Sequence, residues 1–213
     1  RIHDYIQNHE VKKAVVVGAG FIGLEMAENL KEKGMDVTVV QLLDQIMTPL
    51  DKDMAAIVQN YLKHQGVELL LETSLTKIIK KDEDTWAVLD NQKEIACDMI
   101  LMAVGVQPDS HLAKTAGLAL GIKGAIKVNA HMQTNIEDIY AVGDAVEVKH
   151  FITQKDTLIS LAGPANKQGR IAADHICGIN SRYKGSQGSS ILKLFDMQIA
   201  ATGLNEKEAQ TAD

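Results

Sequence analysis

Three features of the sequence predict an α/β fold. The apolar run Ala14-Val15-Val16-Val17 leads directly into Gly18-Ala19-Gly20-Phe21-Ile22-Gly23, and that turn opens a helical pattern. A second β-branched run, Val37-Thr38-Val39-Val40, follows and completes a strand–turn–helix–strand unit. Much later a short apolar run, Ile139 to Val142, ends in Gly143-Asp144. Runs that are apolar on both faces suit parallel strands covered by helices. The prediction is a Rossmann-like three-layer domain on a parallel sheet with an antiparallel excursion, joined to an incomplete second α/β domain.

Each element has its own reason. Val11 to Val17 reads as the first buried strand. After the glycine turn, Ile22, Met26 and Leu30 recur every four residues with Ala27 beside them, the inward face of a helix that stops at Gly34. Asp51 is placed as the N-cap of a second helix, whose inward stripe is Met54, Ile57, Val58, Tyr61 and Leu62 and whose stop is Gly66. Val67 to Leu71 is the third strand. Thr73 to Lys80 and Thr85 to Leu89 form the antiparallel excursion around Lys81-Asp82-Glu83-Asp84, and Asp98 to Val104 is a further buried strand. A boundary is placed there. Short glycine-punctuated elements follow, then a helix from Leu161 to Ile176 with Ala165, Ile171, Ala172 and Ile176 inward, stopped by Gly178. A polar linker, Ser181 to Ser190, precedes strand-like runs at Ile191–Phe195 and Ile199–Thr202, and Asn205 with Glu208 reads as a capping pair.

Composition narrows the function classes. The chain has 213 residues, 46% hydrophobic and 23% charged, with a net charge of −6. Nothing in that balance favours nucleic acid, and no dense basic cluster appears. No apolar run reaches membrane-spanning length, no secretory leader pattern is present, and a cytoplasmic setting is expected. Cys97 and Cys177 form no CxxC or zinc spacing and read as two buried or half-buried thiols. The seven histidines show no paired spacing, so no metal site is expected.

The three glycines of the first turn have separable roles. Gly18 permits a tight turn off the strand, Gly20 lets the backbone approach a pyrophosphate, and Gly23 lets the helix pack close to the strand. The phosphates then meet free N–H groups at a helix N-terminus. The candidate dinucleotide contacts are Gly18, Gly20, Phe21, Ile22 and Gly23. An acid is expected at the end of the second strand to hold the adenosine ribose, and Gln41 stands there instead. A neutral amide forgoes a charge-assisted bond, a difference of ~1 kcal/mol. It also removes the repulsion that rejects a 2′-phosphate, but no cation lies among Leu42 to Gln45 to attract one. NADH is therefore placed ahead of NADPH, and an acid at position 41 is expected to tighten NADH and weaken NADPH.

The second signature is longer than its Gly-Asp pair. Thr134-x-x-Glu137-x-Ile139-Tyr140-Ala141-x-Gly143-Asp144 closely resembles the second FAD-binding motif of the pyridine nucleotide-disulfide oxidoreductases. Ala103-Val104-Gly105-Val106-Gln107-Pro108-Asp109 resembles the motif that closes the family's NAD domain, with Gln107 where Arg is common. The segments Gly20–Glu28, Asp44–Asp51 and Leu161–Arg170 are similar to the coenzyme A-disulfide reductase, persulfide reductase and NADH oxidase branch. The resemblance covers essentially the whole chain and departs at Gln41.

The resemblance implies an FAD-dependent, NADH-consuming oxidoreductase that passes hydride to flavin and electrons on to a disulfide, persulfide, peroxide or oxygen. It implies that Asp144, with Gly143, contacts the flavin's ribityl–pyrophosphate region and that Gly105 lies near the nicotinamide. Phe21 matches an aromatic that covers the flavin until nicotinamide displaces it; the alternative is an ordinary apolar residue opening a helix. Glu25 matches a Glu that pairs with a Lys beside the flavin; the alternative is a solvated first-turn acid. Ala162 falls on the flavin side or is a simple helix start. The implied layout is an NAD(H) domain over residues 1–104, the C-terminal part of an FAD domain over 105–186, and the start of a dimerisation domain over 187–213. A further FAD segment and a lone redox-active Cys are expected upstream of this chain, in a homodimeric parent acting on small thiols, disulfides or oxidants. Two other readings stay open: a non-catalytic NADH-binding fragment, and a Cys-free ferredoxin-reductase-type flavoprotein.

Overall fold

The computed structural model describes residues 2–82 and 84–212. The chain divides into two compact units, residues 1–105 with 191–199, and residues 106–190 with 200–213.

The first unit opens with a short exposed helix α1 (Ile2–Asn8) that no sequence signal announced. Then come β1 (Lys13–Val17), α2 (Phe21–Glu32), β2 (Asp36–Val40), α3 (Lys52–His64) and β3 (Glu68–Leu70). An antiparallel group follows: β4 (Leu75–Lys81), β5 (Asp84–Leu89) and β6 (Glu94–Cys97). The last strand, β7 (Met99–Met102), returns to β1. The parallel sheet has the order β3-β2-β1-β7. The expected turn over Lys81–Asp84 includes Glu83, which lies outside the described residues.

Alternation along β1 explains the layering. Val15 and Val17, with Val40, pack against Ala87, Leu89 and Cys97 of the antiparallel sheet. Ala14 and Val16 point to the opposite face, where α2 covers β1 and β2. Both faces are therefore dry, which is why β1 reads as an unbroken apolar run.

The helix stripes differ from the sequence reading. On α2 the buried positions are Gly23, Leu24, Ala27, Glu28 and Leu30, while Ile22 is 54% exposed. The turn sets the phase: Gly23 must face the strand, and Ile22, one residue earlier, is rotated away from it by about 100°. On α3 the buried set is Ala55, Val58 and Leu62, while Met54 and Ile57 are exposed. Small Ala55 fits the approach to the sheet and places both larger neighbours outward. Asp51 holds the expected N-cap position.

The second unit contains α4 (His111–Thr115), β8 (Ile126–Lys127), β9 (Val146–Lys149), β10 (Asp156–Thr157) and α5 (Ala162–Ile176). The small sheet runs β10-β9-β8, and its core joins Ala113, Ile126, Val146 and Val148. The run Ile139–Val142 does not form the expected strand. Tyr140 makes a single bridge to Gln133, and the following Gly143–Ala145 is a 3-10 turn. The regular strand lies just downstream, at β9. On α5, Ala172 is buried as expected, but Ile176 is 63% exposed, because the helix is in its last turn there. The chain continues through β11 (Ser190–Leu194), β12 (Met197–Ala201) and α6 (Glu206–Gln210). The expected capping box of Asn205 and Glu208 opens α6.

Within the first unit, the turn between β11 and β12 is docked. Phe195 donates its N–H to Glu28 Oε1 at 2.7 Å, and Asp196 donates to Tyr61 Oη at 3.1 Å. Glu28 is buried on α2, so this acceptor role explains an acid on an otherwise apolar helix face.

Candidate functional site

The first candidate site is the turn from β1 into α2. Gly18 has φ +102, and a Cβ there would lie 2.3 Å from the Ala103 carbonyl oxygen. Gly23 is equally closed, since its Cβ would lie 1.9 Å from the Gly18 carbonyl oxygen. Gly20 is the opposite case: nothing lies within 4 Å of its Cβ position. Two glycines are thus demanded by the protein's own packing, and the third faces open space. Gly20 is the N-cap of α2, and no side chain caps the helix. An uncapped 12-residue helix with an unobstructed approach is a competent anion site. Phe21 is half-buried at the first position of α2, and Ile22 is exposed beside it. Glu25 is exposed one turn further on. Gly105, at φ +111, is exposed two residues after Ala103, whose carbonyl closes over Gly18.

Gln41 is brought to this turn but not as a free group. It is 9% exposed. Its Oε1 accepts the Ala19 N–H at 3.2 Å, and its Nε2 donates to the Gln45 carbonyl at 3.0 Å. Ala19, Gln45 and their bonds to Gln41 were not anticipated. The signal available was an amide in a buried place that an acid was expected to fill.

The second candidate site lies in the other unit. Gly143 has φ +86 and opens the 3-10 turn, and Asp144 beside it is exposed. The Gly143 N–H is already used, donating to Gln168 Oε1 at 2.7 Å. Gln168 is 1% exposed on α5, so its side chain locks this helix to the turn. Sequence reading missed it, although a glutamine four residues before the buried Ala172 is a detectable exception on an apolar stripe. Ala162, exposed at the first position of α5, follows an N-cap residue, Leu161, that gives no side-chain cap.

The two thiols differ. Cys97 is buried in the core of the first unit, and burial pushes its thiol above the ordinary range. Such a thiol is a poor nucleophile at neutral pH. Cys177 is exposed rather than buried, because it follows the last turn of α5. Among the described residues, no group of metal-ligating side chains gathers, and no helix is long and apolar enough to cross a membrane.

Residues 3–169 match the family described as pyridine nucleotide-disulphide oxidoreductase. An NADH oxidase of Methanocaldococcus jannaschii is 46% identical over 201 residues, which cover 94% of this chain and 44% of that protein. The structure of reduced Bacillus anthracis CoADR-RHD superposes with a TM-score of 0.95 at 48% identity, covering 99% of this chain and 38% of that one. A NAD-dependent persulfide reductase from A. fulgidus gives a TM-score of 0.94 at 40% identity, with 99% and 39% covered. The chain thus spans less than half the length of these relatives, and by motif, turn geometry and match over most of its residues it belongs to the pyridine nucleotide-disulphide oxidoreductase family.

Proposed function

We propose that the first unit is the NADH-binding part of an FAD-dependent oxidoreductase, and that the Gly143–Asp144 turn is part of its flavin site. The observation that carries the first half is the open approach at Gly20 over an uncapped helix N-terminus. Residues Gly18, Gly20, Phe21, Ile22 and Gly23 would receive the pyrophosphate there, with Gln41 at the adenosine end. Gly105 would border the nicotinamide. Gly143, Asp144 and Ala162 would border the flavin, where the exposed Asp144 carboxylate accepts hydroxyl hydrogen bonds. When both are bound, these cofactors supply hydride transfer from nicotinamide to flavin.

The residues of this chain orient and shield. Phe21, half-buried at the first position of α2, would exclude water from the reacting face. Glu25, exposed one turn along α2, would pair with a cation beside the flavin. In the whole protein, which we place in the cytoplasm as a homodimer, the final electron acceptor would be a disulfide, persulfide, peroxide or oxygen. Relatives named coenzyme A disulfide reductase and NAD(P)H sulfur oxidoreductase support a disulfide or sulfur acceptor, and one named NADH oxidase supports NADH as the donor.

Calorimetric titration of the 213-residue chain with NADH and with FAD tests the assignment. NADH is expected to bind and FAD to bind weakly or not at all. Absence of NADH binding removes the first site, and stoichiometric FAD retained through purification removes the reading of the second as a partial one.

A further inference from the structure

We propose that Gln41 is a neutral clamp that fastens the glycine turn to the loop over residues 42–50, and that the adenosine ribose is not its partner. This rests on the reading of the first unit as an NADH site. Each of the four polar atoms of the residue already holds a protein partner. Its main-chain N–H donates to the Leu70 carbonyl at 2.8 Å, and its carbonyl accepts the Thr73 N–H at 3.0 Å. Its side chain spans the Ala19 N–H and the Gln45 carbonyl, at 3.2 and 3.0 Å.

Ala19 lies between Gly18 and Gly20, so holding it sets the turn. It is held from both sides, because its carbonyl accepts the Met47 N–H at 3.0 Å. Met47 is buried and adopts a left-handed backbone, φ +47, unusual for a residue with a side chain. The lacing continues outward. Gln45 Nε2 donates to the Leu50 carbonyl at 3.0 Å, and the Ile46 N–H donates to Gln59 Oε1 at 3.3 Å. The loop that flanks the adenosine end is therefore built on side-chain amides, with Gln41 as the link to the phosphate turn.

The donor set explains the choice of residue. The position must accept one hydrogen bond and donate another within a buried space. An amide does both, and an ionised carboxylate only accepts. An acid here would set a charged oxygen against the Gln45 carbonyl. On this proposal Gln41→Glu weakens NADH, opposite to the expectation drawn from the sequence that an acid here tightens it. The groups bonded to the side chain, Ala19 and Gln45, are uncharged main chain. Five charged side chains lie on the loop, the helix start and the segment after β3: Asp44, Asp51, Lys52, Asp53 and Glu72. Asp44 pairs with Lys52 at 2.6 Å, and Glu72, whose N–H donates to the Leu43 carbonyl at 3.1 Å, also acts on Lys52.

Two variants, Gln41→Glu and Gln41→Met, decide the matter in the 213-residue chain. The readouts are dissociation constants for NADH and NADPH and the thermal midpoint without nucleotide, between about pH 8 and about pH 5, each relative to the unaltered chain at the same pH. In Gln41→Glu, both nucleotides should weaken together near neutral pH, by roughly ten- to a hundredfold, with their ratio unchanged. Burial raises the introduced carboxyl's pKa. As the pH falls it protonates, gains an O–H donor beside its C=O, and restores both bonds. Affinity and thermal midpoint should then return toward the unaltered chain, while Gln41→Met stays weak throughout. Tighter NADH with weaker NADPH in Gln41→Glu overturns the clamp and makes position 41 a ribose ligand. A Gln41→Glu defect that does not recover on acidification also overturns it. If the unaltered chain binds neither nucleotide, the NADH-site reading fails, and the pH profile of the thermal midpoint alone still decides the clamp.

Discussion

Replacing Gly20 by Ala separates binding from folding. Gly20 has φ −82 and ψ −169, extended backbone that any residue adopts. A Cβ added there meets nothing within 4 Å, so the folded chain accommodates it. Alanine is a poorer N-cap than glycine by ~1 kcal/mol, and the lost chain entropy of glycine returns ~0.4–1 kcal/mol. The net effect on stability is near zero. Binding is another matter, because the methyl group would stand in the open space through which the proposed pyrophosphate reaches the helix N-terminus. Losing one or two charge-assisted hydrogen bonds there costs about 3 kcal/mol. That corresponds to a dissociation constant raised roughly a hundredfold. The assay is NADH titration by calorimetry, with the thermal midpoint measured in parallel. An NADH affinity unchanged in Gly20→Ala, with the fold intact, refutes the placement of the phosphates at this turn.

Gly23→Ala should behave in the opposite way. An alanine inside a helix ordinarily gains ~1 kcal/mol over glycine, but the contact at 1.9 Å from the Gly18 carbonyl oxygen leaves no room. A loss of roughly 1–3 kcal/mol or more is expected in chemical denaturation, and a stabilised variant would contradict the packing argument. A thiol-reactive dye should modify Cys177 in the native chain and reach Cys97 only after denaturation, counted by absorbance at equilibrium. The raised Cys97 thiol also has a pH signature. The folded chain keeps its proton longer than the unfolded chain, so its contribution is intact below the unfolded thiol's pKa and is lost as pH rises through the folded one. Cys97→Ala should flatten the alkaline fall of the thermal midpoint, and an unchanged slope would assign that fall to other groups.

Much of this was legible in one dimension. β1, the glycine turn, α2 and β2 are signalled by local chemistry: β-branched runs, a glycine spacing, a helical period. The capping box of Asn205 and Glu208 was equally local. Errors came where a neighbour in space overrode a local pattern. Ile22, Met54 and Ile57 fit an apolar stripe, yet they are exposed because small residues, Gly23 and Ala55, take the close approach to the sheet. The run Ile139–Val142 has strand chemistry but makes one bridge, because a strand is defined by its partners. Two histidines far apart in the chain, His131 and His175, stack at 4.3 Å, which no spacing rule foretells.

By itself, the sequence determined the α/β unit, the candidate phosphate turn, the order of the two signatures and the family resemblance, because each depends on short-range spacing along the chain. Only the tertiary structure decided what individual polar side chains do. Gln168 is spent on the Gly143 N–H, Glu28 on the Phe195 N–H, and Gln41 on Ala19 and Gln45. The physical reason is that a hydrogen bond is a property of two groups in space, and at these positions the second group is set by the fold.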